Sequence, residues 1–187
     1  MTLTFSKPAV DLRKVLDFDI ENVPGFYWYD GETTSRLHTI VCAFTRNPGK
    51  MYKWQMKWDA KLGLHFPTTY FERFKALVES ADAVTGHNIL KHDIPILNGY
   101  AERNGVEPIK WPHVIDTLKE RRKKNLKGVP GSQEFLADAS GADEKKMHVG
   151  IHTWELAAAG EPKAMKIALD RCISDVKSHI EINFNHV

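Results

Sequence analysis

The first clear pattern in the chain is a strict alternation of apolar and acidic residues over VLDFDIEN, residues 15–22. Such an alternation predicts a β-strand. Successive side chains of a strand point to opposite faces of the sheet. One face is therefore apolar and carries Leu16, Phe18 and Ile20. The other face is acidic and carries Asp17, Asp19 and Glu21.

Four further segments are predicted to be strands because they are short, apolar and flanked by turn residues. They are LHTIVCAFTR (37–46), GKMYKWQMKW (49–58), DAVTGHN (82–88) and WPHVIDT (111–117). In the segment 49–58 an aromatic stripe shares one face, which favours a position in the core: Tyr52, Trp54, Met56 and Trp58.

Helical spacing dominates between and after these strands. Thr69 and Glu72 have the spacing of a capping box, and a helix is expected to follow them. Further helices are predicted over 93–105, over 132–141, and over 152–184 as two segments divided near Gly160. Strands come first and then alternate with helices. This order predicts an α/β fold with a mixed sheet, first an antiparallel meander and then parallel strands, flanked by helices.

Composition limits the class of protein. The 187 residues are 42% hydrophobic and 27% charged, which is typical of one globular domain, and we expect a single domain over 1–187. The net charge of +2 provides no global attraction to nucleic acid, so any such binding must be local. Neither a signal peptide nor a membrane span is evident, and Cys42 and Cys172 are expected to be buried free thiols. These features favour a cytoplasmic protein with no membrane partner, in the host cytoplasm if it is phage-encoded.

The acidic face of the first strand has two interpretations. It is either the solvated side of an edge strand or a binding site for a divalent metal. Like charges this close repel one another, and a hard cation with oxygen ligands removes that repulsion. The metal interpretation requires further carboxylates elsewhere in the chain.

Two later acids meet that requirement. Asp93 stands at a predicted helix start in GHNILKHD, where it is either a ligand or an N-cap. Asp175 lies in the last helix beside the apolar residues Cys172 and Val176, where it is either a ligand or a solvated flank. Asp170, one turn earlier, is expected to lie on the surface.

With these residues the chain resembles a known family. FDIE on a first strand, GHN followed by Asp93, and CISDV on a late helix resemble the three motifs of the DEDD, or DnaQ-like, 3′–5′ exonucleases. The resemblance covers residues 15–182 and is similar to compact phage and bacterial members. It implies a ribonuclease H-like fold and hydrolysis of DNA from single-stranded or frayed 3′ ends.

The resemblance also implies a ligand set. Asp19, Glu21, Asp93 and Asp175 would be the catalytic carboxylates and would hold two divalent ions, Mg²⁺ or Mn²⁺. Two such ions activate water and stabilise the leaving oxygen in phosphodiester hydrolysis. Asp17 is outside this set and is interpreted either as a group that supports the ligands or as a solvated residue.

One position departs from the family pattern. Members usually have Tyr four residues, or His five residues, before the last Asp, and here those places hold Arg171 and Asp170. Arginine is not a base at ordinary pH. The general base would then be His148, His152 or His179. Alternatively the metals act alone, with Arg171 binding a phosphate, or the protein is catalytically degenerate.

Substrate contacts are predicted at three places. Asn88 resembles a family position near the nucleotide, although it equally suits a turn. Trp28, with its aromatic neighbours in PGFYWYDGE, is a candidate wedge at the 3′-terminal base. The basic run LKERRKKNLKG, residues 118–128, is either a phosphate track or a solvated surface.

The leading hypothesis is therefore a DNA exonuclease that works with a replication or repair protein; DNA is favoured over RNA. The alternatives are a degenerate nucleic-acid-binding module of the same fold and a ribonuclease H-like endonuclease.

Overall fold

A computed structural model describes residues 14–23, 36–123, 132–135 and 147–184 of the chain. The strands are β1 (Val15–Val23), β2 (Arg36–Phe44), β3 (Met51–Gln55), β4 (Lys57–Asp59), β5 (Gly63–His65), β6 (Ala83–Gly86) and β7 (His113–Asp116). The helices are α1 (Thr68–Glu79), α2 (Asp93–Arg103), α3 (Thr117–Lys123), α4 (Ile151–Ala158) and α5 (Pro162–Phe184).

Strand β1 lies at the centre of a five-stranded mixed sheet with the order β3-β2-β1-β6-β7. It pairs antiparallel with β2 and parallel with β6, and β6 pairs parallel with β7. This sheet, antiparallel first and parallel afterwards, confirms the predicted mixed α/β sheet and is consistent with a ribonuclease H-like fold. The central position of β1 excludes the solvated edge strand considered for its acids.

The apolar face of β1 packs into the larger core. Leu16, Phe18 and Ile20 are buried there with residues from α1 and α2. The rings of Phe18 and Phe74 lie 5.4 Å apart, which joins β1 to the middle of α1. The alternation of the sequence therefore specified this face correctly.

The acidic face of β1 is covered by the long helix α5. Cys172, Val176 and Ile180 form a row at helical spacing and pack against Val41 and Ala43 of β2. Because Asp175 adjoins this row, the packing brings it to the acids of β1. Asp175 is 5% exposed, so the interpretation of this residue as a solvated flank is wrong.

Two local predictions are wrong. The strand expected over 49–58 is interrupted at Met56, which is buried, and the chain then turns into the separate hairpin β4–β5. Trp58 consequently leaves the aromatic stripe and is 75% exposed. Helix α1 also begins one residue before Thr69, and its N-cap, Pro67, makes no side-chain capping bond.

Other described elements agree with expectation, whereas most of the helix predicted over 132–141 lies outside the described residues. Gly160 has a positive φ of 84° and separates α4 from α5, as its place in the sequence indicated. Cys42 and Cys172 are buried free thiols. Among the described residues, no helix combines the length and apolar character that crossing a membrane requires.

Candidate metal centre

Three carboxylates from two distant segments meet on the acidic face of β1. Asp19 and Glu21 are two residues apart on the strand, and Asp175 approaches them from α5. One oxygen from each side chain lies within 4.8 Å of the other two. Carboxylate oxygens are the ligands that Mg²⁺, Mn²⁺ and Ca²⁺ prefer, so this donor set fits a hard divalent cation.

Asp93 lies beside this group, at the start of α2. It is the first residue of the helix, whose N-cap is His92, so the interpretation of Asp93 as N-cap is wrong. Its carboxylate accepts a hydrogen bond from the backbone N–H of Ile20 at 3.2 Å, which fixes α2 against β1 between the two acids of the strand. The structure thus brings all four predicted carboxylates to one region, with three of them closest together.

The electrostatics of the group favour a cation. The pKa of Asp19 is raised well above its ordinary value, first by burial and then by the charges of Asp93, Glu21 and Asp175. Burial and the charge of Asp175 also raise the pKa of Glu21, to about 7, although Arg171 opposes that rise. Repulsion among partly buried carboxylates is relieved when a divalent ion binds between them.

Arg171 already places one positive charge against these acids. Its Nε donates to Oε1 of Glu21 at 2.9 Å, and Nη2 lies 3.8 Å from Oδ2 of Asp175, one turn along α5. Nη1 donates to the carbonyl oxygen of Met147 at 3.1 Å. The guanidinium also lies 5.7 Å from the ring centroid of Trp154 in α4. The position at which the exonucleases that the sequence resembles have Tyr is thus held by a cation in contact with these acids.

Asp17 and His179 form a buried polar connection behind the carboxylates. Nδ1 of His179 contacts Oδ2 of Asp17, and its Nε2 lies 2.8 Å from the hydroxyl of Thr117. Asp17 is 1% exposed and His179 is 3% exposed. Asp17 is therefore not solvated, and burial raises its pKa while His179 lowers it. The connection joins β1, α5 and the start of α3.

The turn that carries GHN is held by a residue to which the sequence analysis gave no role. Asp116, at the end of β7, accepts hydrogen bonds from the backbone N–H groups of Asn88 and Leu90 at 3.2 and 3.1 Å. Asn88 has φ 65°, a left-handed conformation that Asn tolerates better than most residues. Gly86 is needed because a Cβ there would lie 2.7 Å from the carbonyl oxygen of Phe18. This backbone geometry supports the interpretation of Asn88 as a turn residue, and its contact with a nucleotide stays a prediction.

Three histidines that could accept a proton differ in their exposure and in the acids that they contact. His148 and His152 lie on the surface, where they contact Glu134 at 2.9 Å and Glu155 at 3.4 Å. His92, which the sequence analysis missed, is about half exposed, with Nδ1 3.4 Å from Oδ2 of Asp93. Its contact with Asp93 raises its pKa. The available signal was its place directly before a predicted ligand.

The other predicted substrate contacts lie mostly outside the described residues. Trp28 and its neighbours Phe26 and Tyr27 lie outside the described residues. In the basic run, Lys119 and Arg122 are exposed on α3, and residues 124–128 lie outside the described part of the chain. Asp170 contacts Lys166 on the surface of α5, as expected.

Comparison with solved structures supports the fold. The chain is similar to the family B DNA polymerase from the hyperthermophilic archaeon Pyrobaculum calidifontis, with a TM-score of 0.62 and 18% sequence identity. The similarity covers 95% of this chain and 24% of the polymerase chain, so the chain spans about a quarter of that protein's length. No protein-family model matches the sequence, and no curated protein matches it.

Proposed function

We propose that this protein is a metal-dependent 3′–5′ exonuclease that hydrolyses DNA at single-stranded or frayed 3′ ends. The observation that carries the proposal is the meeting of Asp19, Glu21 and Asp175 within 4.8 Å on a ribonuclease H-like sheet. Asp93 lies alongside and contributes to the charge at Asp19. The similarity to part of a DNA polymerase agrees with a nucleic-acid substrate.

The four carboxylates would hold the divalent ions, Mg²⁺ or Mn²⁺, that this chemistry uses. Bound cations of this kind supply an activated water and neutralise charge on the phosphate. The protein itself fixes the positions of these ligands. Strand β1 presents Asp19 and Glu21 on one face, and the hydrogen bond from the backbone N–H of Ile20 orients the carboxylate of Asp93. The resemblance implies two ions, and Arg171 competes for the Glu21 oxygen that one of them would use.

A nuclease also needs a proton acceptor for the attacking water. Of the histidines near the ligands, His92 is adjacent to Asp93 and half exposed, so solvent reaches it. His148 follows Met147, whose carbonyl contacts Arg171, and His152 is the second residue of the helix α4. We assign the role of general base first to His92, with His148 and His152 as the alternatives.

The rival function is a nucleic-acid-binding module that has lost catalysis. One observation favours it: Arg171 forms an ion pair with Glu21 at a position where the family has Tyr. The presence of all four carboxylates, close together and partly buried, favours the enzyme, because the repulsion among them would destabilise a protein that had no use for them.

The deciding experiment uses a 5′-labelled single-stranded DNA oligonucleotide with Mg²⁺ or Mn²⁺. We expect a metal-dependent ladder that shortens from the 3′ end, and no ladder with the Asp19→Ala/Glu21→Ala protein. Internal fragments in place of the ladder would indicate an endonuclease. Binding without cleavage under either metal would indicate the degenerate module.

The same assay distinguishes the substrate. An RNA oligonucleotide of the same sequence tests DNA preference, and a blunt duplex beside a frayed one tests the requirement for an unpaired end. We expect the single-stranded and frayed DNA to be degraded fastest. A requirement for a replication or repair partner would appear as weak activity of the isolated chain.

A further inference from the structure

Arg171 is held in the carboxylate cluster by contacts on both sides of it. Two of them are with acids of the cluster, Glu21 and Asp175. The other two lie outside: the carbonyl oxygen of Met147 accepts from Nη1, and the ring of Trp154 lies beneath the guanidinium. These two contacts outside the cluster would keep the side chain in place if an acid of the cluster bound another cation.

The guanidinium is a permanent charge. Arginine is not deprotonated in proteins, and its planar fork loses less freedom than lysine when it binds several acceptors. Arg171 is only 19% exposed at the side chain, so water screens its charge weakly. A second divalent ion at Glu21 would have to displace the guanidinium or lie beside it against strong repulsion.

A count of formal charges also argues against a second divalent ion. Four ionised carboxylates carry a charge of −4, and Arg171 reduces it to −3. One divalent ion then leaves −1, whereas a second would leave the site positive before any phosphate arrives. Arg171 therefore provides part of the positive charge that a second ion supplies in sites with two metal ions.

We infer that Arg171 takes the place of one metal ion, so that the site binds a single divalent cation through Asp19 and Asp175, with Asp93 alongside, while Glu21 remains paired with the guanidinium. This inference rests on the proposed metal centre and specifies its composition. A fixed guanidinium beside one ion remains able to stabilise charge on a bound phosphate, since preorganised cations do so without rearrangement.

The test is a calorimetric titration of the full chain with Mn²⁺ at neutral pH. The wild type should bind one ion. Arg171→Gln removes the charge at similar length and should bind two ions, or one at least about tenfold more tightly. Lys166→Gln, the matched control, removes an exposed cation from the same helix and should behave as wild type.

The outcomes separate the two proposals. Two ions bound by the wild type, or identical stoichiometry and affinity in Arg171→Gln, would overturn the role of Arg171 and leave the metal centre intact. No binding by any variant would overturn the metal centre itself. Circular dichroism establishes that each variant is folded. Arg171→Met, which retains the aliphatic length beside Trp154, serves as a second neutral variant if the glutamine protein is unstable.

Discussion

At the scale of single residues, the acids of β1 show how the charged groups around a carboxylate determine its chemistry. Three carboxylates that alternate along one strand end in different surroundings: Asp17 against a histidine, Asp19 among other acids, and Glu21 against an arginine. Their chemistry therefore differs although their positions in the strand are equivalent. The sequence identified the pair Asp19 and Glu21 by resemblance, but the partners of each acid were not evident from it.

Glu21 gives a prediction about pH. Its pKa in the folded protein is about 7, above the ordinary value of 4.5, so the metal-free folded state resists its ionisation. The stability that this residue contributes is present below about pH 4.5 and is lost as the pH rises through about 7. In EDTA, the wild type should lose more stability between pH 5 and pH 8 than Glu21→Gln does. Urea unfolding at both pH values measures the difference.

Equal losses in the two proteins would contradict the raised pKa. The comparison with Glu21→Gln is needed because other groups also titrate in this range. His38, for example, is buried and has its pKa lowered to about 4, which opposes the trend. Its contribution is the same in both proteins and cancels from the difference.

His92 gives a prediction about turnover. If it accepts the proton of the attacking water, His92→Ala should lower turnover on single-stranded DNA about 10²-fold or more, with little change in DNA affinity. His148→Ala and His152→Ala should each change turnover by less than about threefold, because both side chains lie on the surface and contact other acids. A larger loss in either of those variants would transfer the role to it.

At the scale of elements, the position of α5 decides whether a site exists. Asp175 reaches the acids of β1 only if α5 is positioned along the strand to within less than one helical turn. Its apolar row, Cys172, Val176 and Ile180, sets the face that is buried. The polar connection from Asp17 to Thr117 through His179, one turn beyond Asp175, fixes how far the helix extends along the strand.

Removing that connection should therefore destabilise the protein. His179→Ala leaves Asp17 buried without its partner, and the loss of one member of a buried pair costs about 3 kcal/mol. Urea unfolding measures the loss, and Lys166→Ala, which removes a surface pair on the same helix, should change stability by less than about 1 kcal/mol. A His179→Ala protein as stable as the control would show that apolar packing alone positions α5.

At the scale of the whole molecule, repulsion among the carboxylates should lower the stability of the fold, and a bound cation would relieve it. The sheet and α5 are held by two apolar clusters, and this packing brings the carboxylates of β1 and α5 together. Sites of this kind commonly reduce stability in exchange for function. Metal binding and folding are therefore expected to be coupled.

Melting temperatures test that coupling. At pH 8, Mn²⁺ at about a hundredfold excess over its Kd should raise the melting temperature by about 5 °C or more, since ligands of the native state stabilise it. Asp19→Asn should melt higher than wild type in EDTA, because it removes repulsion, and should gain little from Mn²⁺. A wild type that melts at the same temperature with and without Mn²⁺ would argue against a metal centre.

The sequence by itself determined the local features of this protein. Strict alternation specified β1 and its two faces, and helical spacing specified the buried row of α5, because both patterns depend only on the period of the backbone. The order of the elements specified the mixed sheet. Three motifs together indicated the four carboxylates, although each motif alone is weak. Trp58 shows where such a pattern fails. The alternation of residues continues to position 58, but strand β3 ends at Gln55 and Trp58 lies in the separate strand β4.

The tertiary structure alone decided the partners of these residues. Arg171 reaches Glu21 across 150 positions, and His179 reaches Asp17 across 162. Contacts at such separations depend on how the sheet and helices pack, and no local period encodes them. The pairing of Arg171 with the acids and the buried support from His179 thus became evident only in the folded chain.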